Sequence, residues 1–403
     1  MSRKHLTLGL FGFGTVGKGL YDALQITRDL RIDIRKIVVK NRNKPRALPT
    51  SHFSYDPEEI LSDPEINVVV ELIDDADAAF EFVSKALSRG KAVVTANKKL
   101  VAEHLETLIE LQNRHNVPLL YEAACCASLP VIRNLEEYYD NDLLRSVQGI
   151  VNGSTNYILS KMFDQNQTYQ EALEQAQQKG FAESDPRLDV EGFDAKYKLL
   201  LLLLHAFGIK ATPDQIWTLG IQRIGSLDAR YAKEKGLRIK LVAQARKMND
   251  RLITFVAPQF VSPRSKLYFT NEEYNGVLVE SFFADKQFIE GKGAGAFPTA
   301  SAVLSDLSAL TYDYRYEYKK TKSSSGLKIT TTFPVKVFVS HPAGELPAND
   351  FMTVDEQFCS KGEQYIIGTI QFDTLINASW LKHSSVIFTE DTFDSFETSR
   401  GAQ

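Results

Sequence analysis

Short apolar runs alternate with segments of helical periodicity along roughly the first 130 residues of the chain. Residues 6–11 form such a run and predict a buried strand, and apolar residues then recur one helical turn apart from Val16 to Leu24. Further strands are predicted at residues 34–39, 68–73, 92–94 and 118–121, with helices at 79–87 and 105–111. Strands that alternate with helices are typical of a parallel, doubly wound sheet, so we predict an α/β fold.

The pattern changes after about residue 134 and predicts a second, mixed α/β domain. Helical periodicity dominates residues 155–205, and a second glycine-rich stretch leads into a helix at residues 291–310. A tail begins near residue 321 with the linker-like sequence TKSSSG. The strands predicted in this part of the chain are residues 251–261, 276–283, 333–340 and 364–370.

Three glycines in a G-x-G-x-x-G frame, Gly12, Gly14 and Gly17, lie where the first predicted strand meets the first predicted helix. This context favours a dinucleotide-binding turn over a flexible loop, which is the alternative interpretation. In such a turn the first glycine permits the tight bend, the second lets a pyrophosphate approach the backbone, and the third lets helix and strand pack closely. The N–H groups at the start of the helix would then bind the phosphates.

The loop after the second predicted strand is basic. Sites that prefer NAD have an acidic residue about 20 residues after the glycines, where it binds the ribose hydroxyls. Residues 40–46 contain four cations, among them Lys40 and Arg42, and no acid. This composition favours the 2′-phosphate of NADP. The alternative is a solvated basic loop that binds nothing.

Composition limits the class of protein. The chain has 403 residues, of which 43% are hydrophobic and 24% charged, as in a soluble globular protein of two or three domains. A net charge of −4 gives no indication of nucleic-acid binding. Three cysteines and no recognisable signal peptide lead us to expect a reducing, cytoplasmic compartment. The leucine run at residues 199–204 is too short to span a membrane.

A cluster of acidic residues precedes a lysine at the start of an apolar helix. Asp194 and Lys198 are four residues apart and share one face of that predicted helix. One interpretation is an ion pair at the surface. The other is a lysine directed into a cleft, where neighbouring carboxylates hold a polar substrate. The other acids of the cluster are Glu183, Asp185, Asp189 and Glu191.

Six segments of the chain resemble, in order, those of homoserine dehydrogenases. They are GFGTVGKGL, VVTANKKL, YEAACCASLPVI, GIVNGSTNYIL, GFAESDPRLDVEGFDAKYKL and GKGAGAFPTASAVLSDL, within about residues 6–312. The resemblance implies an NAD(P)-dependent oxidoreductase that interconverts L-homoserine and L-aspartate 4-semialdehyde, on the route to threonine, methionine and isoleucine. It also implies a homodimer or higher homo-oligomer with a small-molecule substrate and no nucleic-acid or membrane partner.

The resemblance also implies a division into domains. Residues 1–133 would form a Rossmann domain, to which residues 291–318 return, and residues 134–290 a catalytic and dimerisation domain. Residues 321–403 would form an accessory module. That module matches an ACT-type regulatory domain in size but lacks its usual glycine-containing ligand motif, so an ACT-like module and a dimer-covering extension both remain open.

The family's site residues carry over by position. Lys198 and Lys98 are the implied catalytic lysines, and Asp194 would orient Lys198. The implied substrate contacts are Glu183, which would bind the homoserine ammonium, with Asp189, Gly153 and Ser154. The implied cofactor contacts are Phe13, Gly12, Gly14, Thr15, Val16, Gly17, Lys40, Arg42, Thr95, Lys98, Gly293 and Gly295. A sodium or potassium ion would be bound at Glu122, Cys125 and Ala127.

The sequence departs from the family pattern in places. Asp74 and Asp75 stand where the family has two glycines, CCAS replaces glycines after YEA, and Phe181 replaces a tyrosine. Two other functions stay open: a non-catalytic NADP-binding sensor, and an aldehyde dehydrogenase with Cys125 or Cys126 as nucleophile. The lysines and acids named above favour an enzyme, and no histidine lies near the two cysteines in sequence.

Overall fold

The computed structural model describes residues 4–27, 29–46, 48–141, 143–322, 326–341, 347–360 and 362–393. Residues 323–325 of the linker-like stretch lie outside the described residues. The chain divides into two compact units. The first consists of Met1–Asp142, Leu200–Pro213 and Gly291–Ser324, and the second of Leu143–Leu199, Asp214–Glu290 and Ser325–Gln403.

The strands and helices are numbered in chain order. The strands are β1 (Leu6–Phe11), β2 (Ile32–Val38), β3 (Phe53–Ser54), β4 (Val68–Glu71), β5 (Ala92–Thr95), β6 (Leu119–Leu120), β7 (Leu144–Ile150), β8 (Trp217–Thr218), β9 (Arg238–Met248), β10 (Arg251–Val261), β11 (Tyr274–Ser281), β12 (Asp285–Lys292), β13 (Lys328–Ile329), β14 (Pro334–Ser340), β15 (Thr353–Ser360), β16 (Glu363–Gln371) and β17 (Ser385–Phe388).

The α-helices are α1 (Thr15–Ile26), α2 (Glu58–Leu61), α3 (Ala76–Ser88), α4 (Lys98–His115), α5 (Ala123–Cys126), α6 (Gly153–Asp164), α7 (Tyr169–Gln178), α8 (Arg187–Val190), α9 (Phe193–Phe207), α10 (Ser226–Glu234), α11 (Ala296–Leu310), α12 (Lys319–Lys322) and α13 (Phe372–Asn377). Short 3₁₀ turns and one π-helical turn, Asn134–Tyr138, connect some of them. Within the described part of the chain, no helix is both long enough and apolar enough to cross a membrane.

The first unit is built on a six-stranded parallel sheet. Its strand order is β3-β2-β1-β4-β5-β6, and each neighbouring pair is parallel. Buried residues make up nearly all of β1 and all of β4, as expected where helices cover both faces of a parallel sheet. The strand order reverses between β1 and β4, and doubly wound sheets bind their ligands in the crevice at that point.

Helix α11 belongs to the first unit and packs against α1. A Cβ atom on Gly19 would lie only 2.8 Å from the carbonyl oxygen of Ala296. The two helices therefore approach closely because position 19 has no side chain. The chain thus leaves the first unit and later returns to it. The three-domain division implied by the resemblance itself stays a prediction.

The second unit is built on an eleven-stranded mixed sheet. Its strand order is β12-β11-β7-β9-β10-β17-β14-β16-β15, and β8 and β13 also pair with β10. A long antiparallel ladder joins β9 to β10. The short connection of this hairpin has Asn249 at φ 56°, a left-handed conformation that asparagine tolerates better than most residues.

Strands of the tail extend this sheet. β17 pairs with β10 at Phe388 and Gln259, and β14 and β16 follow it. Side chains from the tail and from β10 share one apolar core, in which the rings of Phe255 and Phe388 stack 4.7 Å apart. From residue 326 onward, the described part of the tail is therefore packed into the second unit, while its ACT-like character stays a prediction.

The predicted α/β fold class, with a doubly wound sheet and a second α/β part, is confirmed. Strand β4 ends at Glu71, two residues before the predicted end at residue 73. The stretch 155–205 is not continuously helical, because left-handed glycines such as Gly180 and Gly192 separate its helices. The prediction missed several strands, namely β7, β9, β12, β15 and β17.

Candidate active site

The glycine frame forms a tight turn at the end of β1 in the first unit. Gly12 has φ 98°, and a Cβ atom there would lie 2.6 Å from the carbonyl oxygen of Leu72. A Cβ on Gly17 would lie 2.7 Å from the carbonyl oxygen of Gly12. Both positions therefore exclude a side chain, as the dinucleotide-binding turn requires.

Gly14 differs from the other two glycines because the space around it is open. No atom lies within 4 Å of the place where its Cβ would be. Gly14 is the N-cap of α1, and it has no side chain to cap the first N–H groups of that helix. Free N–H groups at the start of a helix are suited to bind an anion such as a phosphate. Thr15 and Val16 lie in the first helical turn, and Phe13 packs edge-on against Phe53 at 5.3 Å.

The basic loop after β2 is held by one of its own arginines. Arg46 donates hydrogen bonds to the carbonyl oxygens of Asn41 (2.7 Å) and Lys44 (3.0 Å). The Lys40 and Arg42 side chains are exposed, and the Arg42 guanidinium lies 4.7 Å from the Tyr55 ring centre. The loop is therefore ordered by Arg46 and presents the other cations outward.

A buried carboxyl group joins the carboxyl ends of β4 and β5. Glu71 accepts hydrogen bonds from the Thr95 hydroxyl (2.5 Å) and the Ile73 N–H (2.6 Å). Burial raises the pKa of Glu71 to about 7, although both hydrogen bonds lower it. The sequence prediction missed Glu71. The available signal was an acidic residue at the end of an otherwise apolar strand.

Thr95 and its neighbours set the start of α4. The Thr95 hydroxyl accepts a hydrogen bond from the Asn97 N–H (3.0 Å), and the Asn97 side chain caps the helix by accepting the Leu100 N–H (3.0 Å). Lys98 is the first residue of α4 and is half-buried. Asp75, one of the departures from the family pattern, caps α3 by accepting the Ala78 N–H (3.1 Å).

The second glycine stretch also precedes a helix of the first unit. Gly295 is the N-cap of α11 and has φ 120°. Gly293 lies two residues earlier and is half-buried. Because α11 packs against α1 at Gly19, the structure brings both glycine-rich segments into the same unit.

Glu122 is buried and engaged by backbone groups. Its two carboxylate oxygens accept the N–H groups of Ile132 (2.8 Å) and Arg133 (2.9 Å). Burial raises the pKa of Glu122, and it raises the pKa of the neighbouring Asp306 well above its usual range. The implied cation ligands Cys125 and Ala127 are buried, and Ala127 has φ 47°.

In the second unit, Lys198 lies where α9 meets the end of β7. Its Nζ donates a hydrogen bond to the carbonyl oxygen of Val151 (2.6 Å) and lies 2.8 Å from Asp194 Oδ2. Lys198 is 7% exposed and Asp194 3%. The surface ion pair considered from the sequence is therefore wrong, because both partners are buried.

Asn152 links this pair to a second carboxylate. Its Nδ2 donates hydrogen bonds to Asp189 Oδ1 (2.7 Å) and Asp194 Oδ2 (2.9 Å). Its Oδ1 accepts the Thr155 N–H (2.8 Å) and so caps α6. The sequence prediction named the two residues that follow but missed Asn152. Its signal was an N-capping residue between a strand and a helix.

The remaining predicted substrate contacts surround the start of α6. A Cβ on Gly153 would lie 2.6 Å from the carbonyl oxygen of Glu273, so this position also excludes a side chain. The Ser154 hydroxyl donates to the carbonyl oxygen of Phe181 (2.5 Å). Glu183 lies two residues after Phe181 and is exposed. The structure thus joins Asp189, Asp194 and Lys198 through hydrogen bonds and leaves the Glu183 carboxylate outside that network.

Two family models match most of the chain. The model described as "Homoserine dehydrogenase, NAD binding domain" matches residues 12–122, and "Homoserine dehydrogenase" matches residues 130–308. A homoserine dehydrogenase of Lactococcus lactis is 36% identical over 313 residues, which are 75% of this chain and 73% of the relative. The chain belongs to the homoserine dehydrogenase family.

Solved structures of homoserine dehydrogenases agree with the fold. The enzyme from Thiobacillus denitrificans has a TM-score of 0.86 and 30% identity, with 96% of this chain and 99% of the other covered. A hyperthermophilic archaeal homoserine dehydrogenase in complex with NADPH has a TM-score of 0.66 and 25% identity, with 78% of this chain and 99% of the other covered.

Membership of the homoserine dehydrogenase family fixes the class of reaction. The chain is an oxidoreductase with an NAD-binding domain and a catalytic domain. The matches do not support a non-catalytic sensor or an aldehyde dehydrogenase. Cys125 and Cys126 are 1% and 0% exposed, so neither thiol is placed to attack a substrate.

We expect Gly14→Ala to weaken dinucleotide binding and leave stability unchanged. The added methyl group meets no protein atom but enters the space where a pyrophosphate would approach, so affinity should fall about tenfold, or about 1.4 kcal/mol. Gly17→Ala is the matched contrast and should lower the free energy of unfolding by about 1–3 kcal/mol through overpacking. Fluorescence titration with NADPH and urea unfolding measure the two effects. Equal NADPH affinity in Gly14→Ala and wild type would contradict this assignment.

Proposed function

We propose that the chain interconverts L-homoserine and L-aspartate 4-semialdehyde with NADP, and that Lys198 transfers the proton. The observation that carries this proposal is the buried ammonium of Lys198, held between the Val151 carbonyl and the Asp194 carboxylate. Two N–H bonds of this ammonium point at protein acceptors, so the direction of the third is fixed as well. Its proton can therefore be delivered along a defined line.

The chemistry needs one proton transfer beside the hydride transfer. A bound nicotinamide would supply the hydride chemistry, as acceptor for the alcohol carbon and as donor for the aldehyde carbon. During oxidation the Lys198 amine takes the hydroxyl proton of homoserine, and during reduction the Lys198 ammonium gives that proton back to the oxygen. Asp194, 2.8 Å from Nζ, stabilises the ammonium and orients it.

Substrate recognition would use the carboxylates near Lys198. We assign Glu183 to the ammonium group of homoserine, because its carboxylate is exposed on the segment that Ser154 anchors. Asp189 would line the same pocket, with Gly153 permitting close approach of the backbone. Lys98, at the carboxyl end of β5, would serve as a second amine in the reaction and as a cofactor contact.

We propose NADP as the preferred cofactor. The support is the exposed Lys40 and Arg42 on a loop without an acid, where a 2′-phosphate would gain charge-assisted hydrogen bonds. The archaeal relative was solved in complex with NADPH, which agrees with this assignment. The remaining contacts would be the ones implied by the resemblance, from Gly12 to Gly17, at Thr95, and at Gly293 and Gly295.

A monovalent cation near Glu122 is a further part of the proposal. Each Glu122 carboxylate oxygen accepts one backbone N–H group, which leaves lone pairs on both oxygens that could bind the ion. The other donors would be the main-chain carbonyl oxygens of Cys125 and Ala127, which are hard ligands suited to sodium or potassium. No step of the reaction is assigned to this ion.

We further propose that the enzyme acts as a homodimer or higher homo-oligomer in the cytoplasm, on the route to threonine, methionine and isoleucine. An exposed aromatic pair supports self-association, since Phe282 is 58% and Phe283 80% exposed on the β11–β12 connection. We assign this pathway because homoserine is a precursor of all three amino acids.

Lys198→Met should retain nucleotide binding and lose most turnover. Removal of a positioned acid–base group costs about 10²–10⁴-fold in kcat. The matched control is Lys196→Met, since Lys196 lies on the same helix over the Phe193 ring and outside the carboxylate network. The assay follows NADPH absorbance with aspartate semialdehyde. No oxidation by the wild type would contradict the proposed function, and near-normal turnover in Lys198→Met would contradict the role of Lys198.

Arg42→Ala should weaken selection for NADPH over NADH. Loss of a charge-assisted hydrogen bond of about 1.5–3 kcal/mol should raise the KM for NADPH by about tenfold or more and leave the KM for NADH unchanged. Lys85→Ala is the control, because Lys85 is an exposed cation paired with Glu81 on α3. If Arg42→Ala has the same KM as the wild type for NADPH and for NADH, the loop is solvated and does not bind the cofactor.

Turnover should depend on the monovalent cation if the carbonyl site is real. We expect higher activity in potassium or sodium chloride than in tetramethylammonium chloride at equal ionic strength, because the larger ion cannot enter a site made of carbonyl oxygens. Equal rates in all three salts would remove the cation from the proposal and leave the lysine chemistry untouched.

A further inference from the structure

A single nitrogen of the Asn152 carboxamide donates hydrogen bonds to two carboxylates. Nδ2 lies 2.7 Å from Asp189 Oδ1 and 2.9 Å from Asp194 Oδ2. The other end of the amide is also committed, since Oδ1 accepts the N–H and the hydroxyl of Thr155. This partner set fixes the orientation of the amide, because the flipped amide would point an oxygen at the two carboxylates.

Lys198 is bound by one of these carboxylates and by the carbonyl oxygen of the residue before Asn152. Asp194 Oδ2 receives both Asn152 Nδ2 (2.9 Å) and Lys198 Nζ (2.8 Å). The carbonyl oxygen of Val151 receives Lys198 Nζ (2.6 Å) and Asn275 Nδ2 (3.1 Å). The two residues that follow β7 therefore fix the ammonium, one through its carbonyl oxygen and the other through Asp194.

Asparagine suits this position for a chemical reason. A neutral amide with two N–H bonds can satisfy two carboxylates at once without adding charge. Serine would still cap α6 but has one hydroxyl hydrogen and cannot bridge both acids. Aspartate would also cap α6, but it would place a third negative charge beside Asp189 and Asp194.

We propose that Asn152 is a positioning residue for the reaction. Its carboxamide sets the location of Asp189 relative to Asp194, and through Asp194 it sets the line along which Lys198 exchanges its proton. Asn152 itself touches neither the substrate nor the cofactor in this scheme. The inference rests on the proposed role of Lys198.

Two variants separate this role from helix capping. Asn152→Ser keeps the cap and removes the bridge, so kcat should fall about 10–100-fold while the NADPH dissociation constant stays close to wild type. Asn152→Asp keeps the cap and adds charge that favours the Lys198 ammonium. The acid limb of kcat/KM for homoserine oxidation should then move to higher pH by about one unit.

Thr168→Ala is the matched control. Thr168 caps α7 in the same unit by accepting the Glu171 N–H, and it does not contact the carboxylate network. This variant should have a lower thermal midpoint, because α7 loses its cap, and keep the wild-type kcat and pH profile. A kcat loss equal to that of Asn152→Ser would assign the effect to general destabilisation and overturn the proposal.

The outcomes distinguish this inference from the proposed function. An active wild type whose two Asn152 variants retain its kcat and pH profile overturns the role of Asn152 alone. A wild type without activity on homoserine overturns the proposed function first. If Asn152→Ser does not fold, Asn152→Asp still tests the proposal, because its side chain has the shape of asparagine. An acid limb at the wild-type pH in Asn152→Asp would then overturn the proposal.

Discussion

A charged side chain inside a protein has to be paired, and this requirement governs the structure around Lys198. The ammonium is 7% exposed and is held by the Val151 carbonyl and the Asp194 carboxylate. Asp194 is buried as well and needs a donor beyond the lysine, which Asn152 provides. The end of β7, the cap of α6 and the first turn of α9 are thereby locked together. Much of the chemistry we propose for the second unit depends on the hydrogen bonds that join these three elements.

The first unit meets the same requirement at the ends of parallel strands. Glu71 is fully buried and accepts hydrogen bonds from Thr95 and from the backbone of residue 73. Thr95 in turn positions Asn97, which caps α4 directly before Lys98. A side chain that satisfies a buried carboxyl group thus also orients the loop where a doubly wound sheet binds its ligand. Gly12 permits the tight turn at the end of β1, and Gly14 leaves the space beside it open.

Local patterns predicted those parts of the fold whose interactions are local. The strand β1, the glycine turn and helix α1 are contiguous, so periodicity and glycine spacing were enough to predict them. Strand β15 was missed because nearly all of its residues are exposed, and β9 was missed because buried polar residues such as Lys240 and Gln244 interrupt its apolar pattern. The tail is the clearest case, since β14 and β16 were predicted but their place in the sheet of the second unit was not.

The sequence by itself determined the fold class, the nucleotide turn, the family and the spacing of Asp194 and Lys198, because each can be read from short contiguous segments and from their order along the chain. Only the tertiary structure decided that this pair is buried and what holds it. Val151 and Asn152 lie 47 and 42 residues from their partners Lys198 and Asp194. Hydrogen bonds across such separations form only when β7 and α9 pack together, and no periodicity or spacing encodes them.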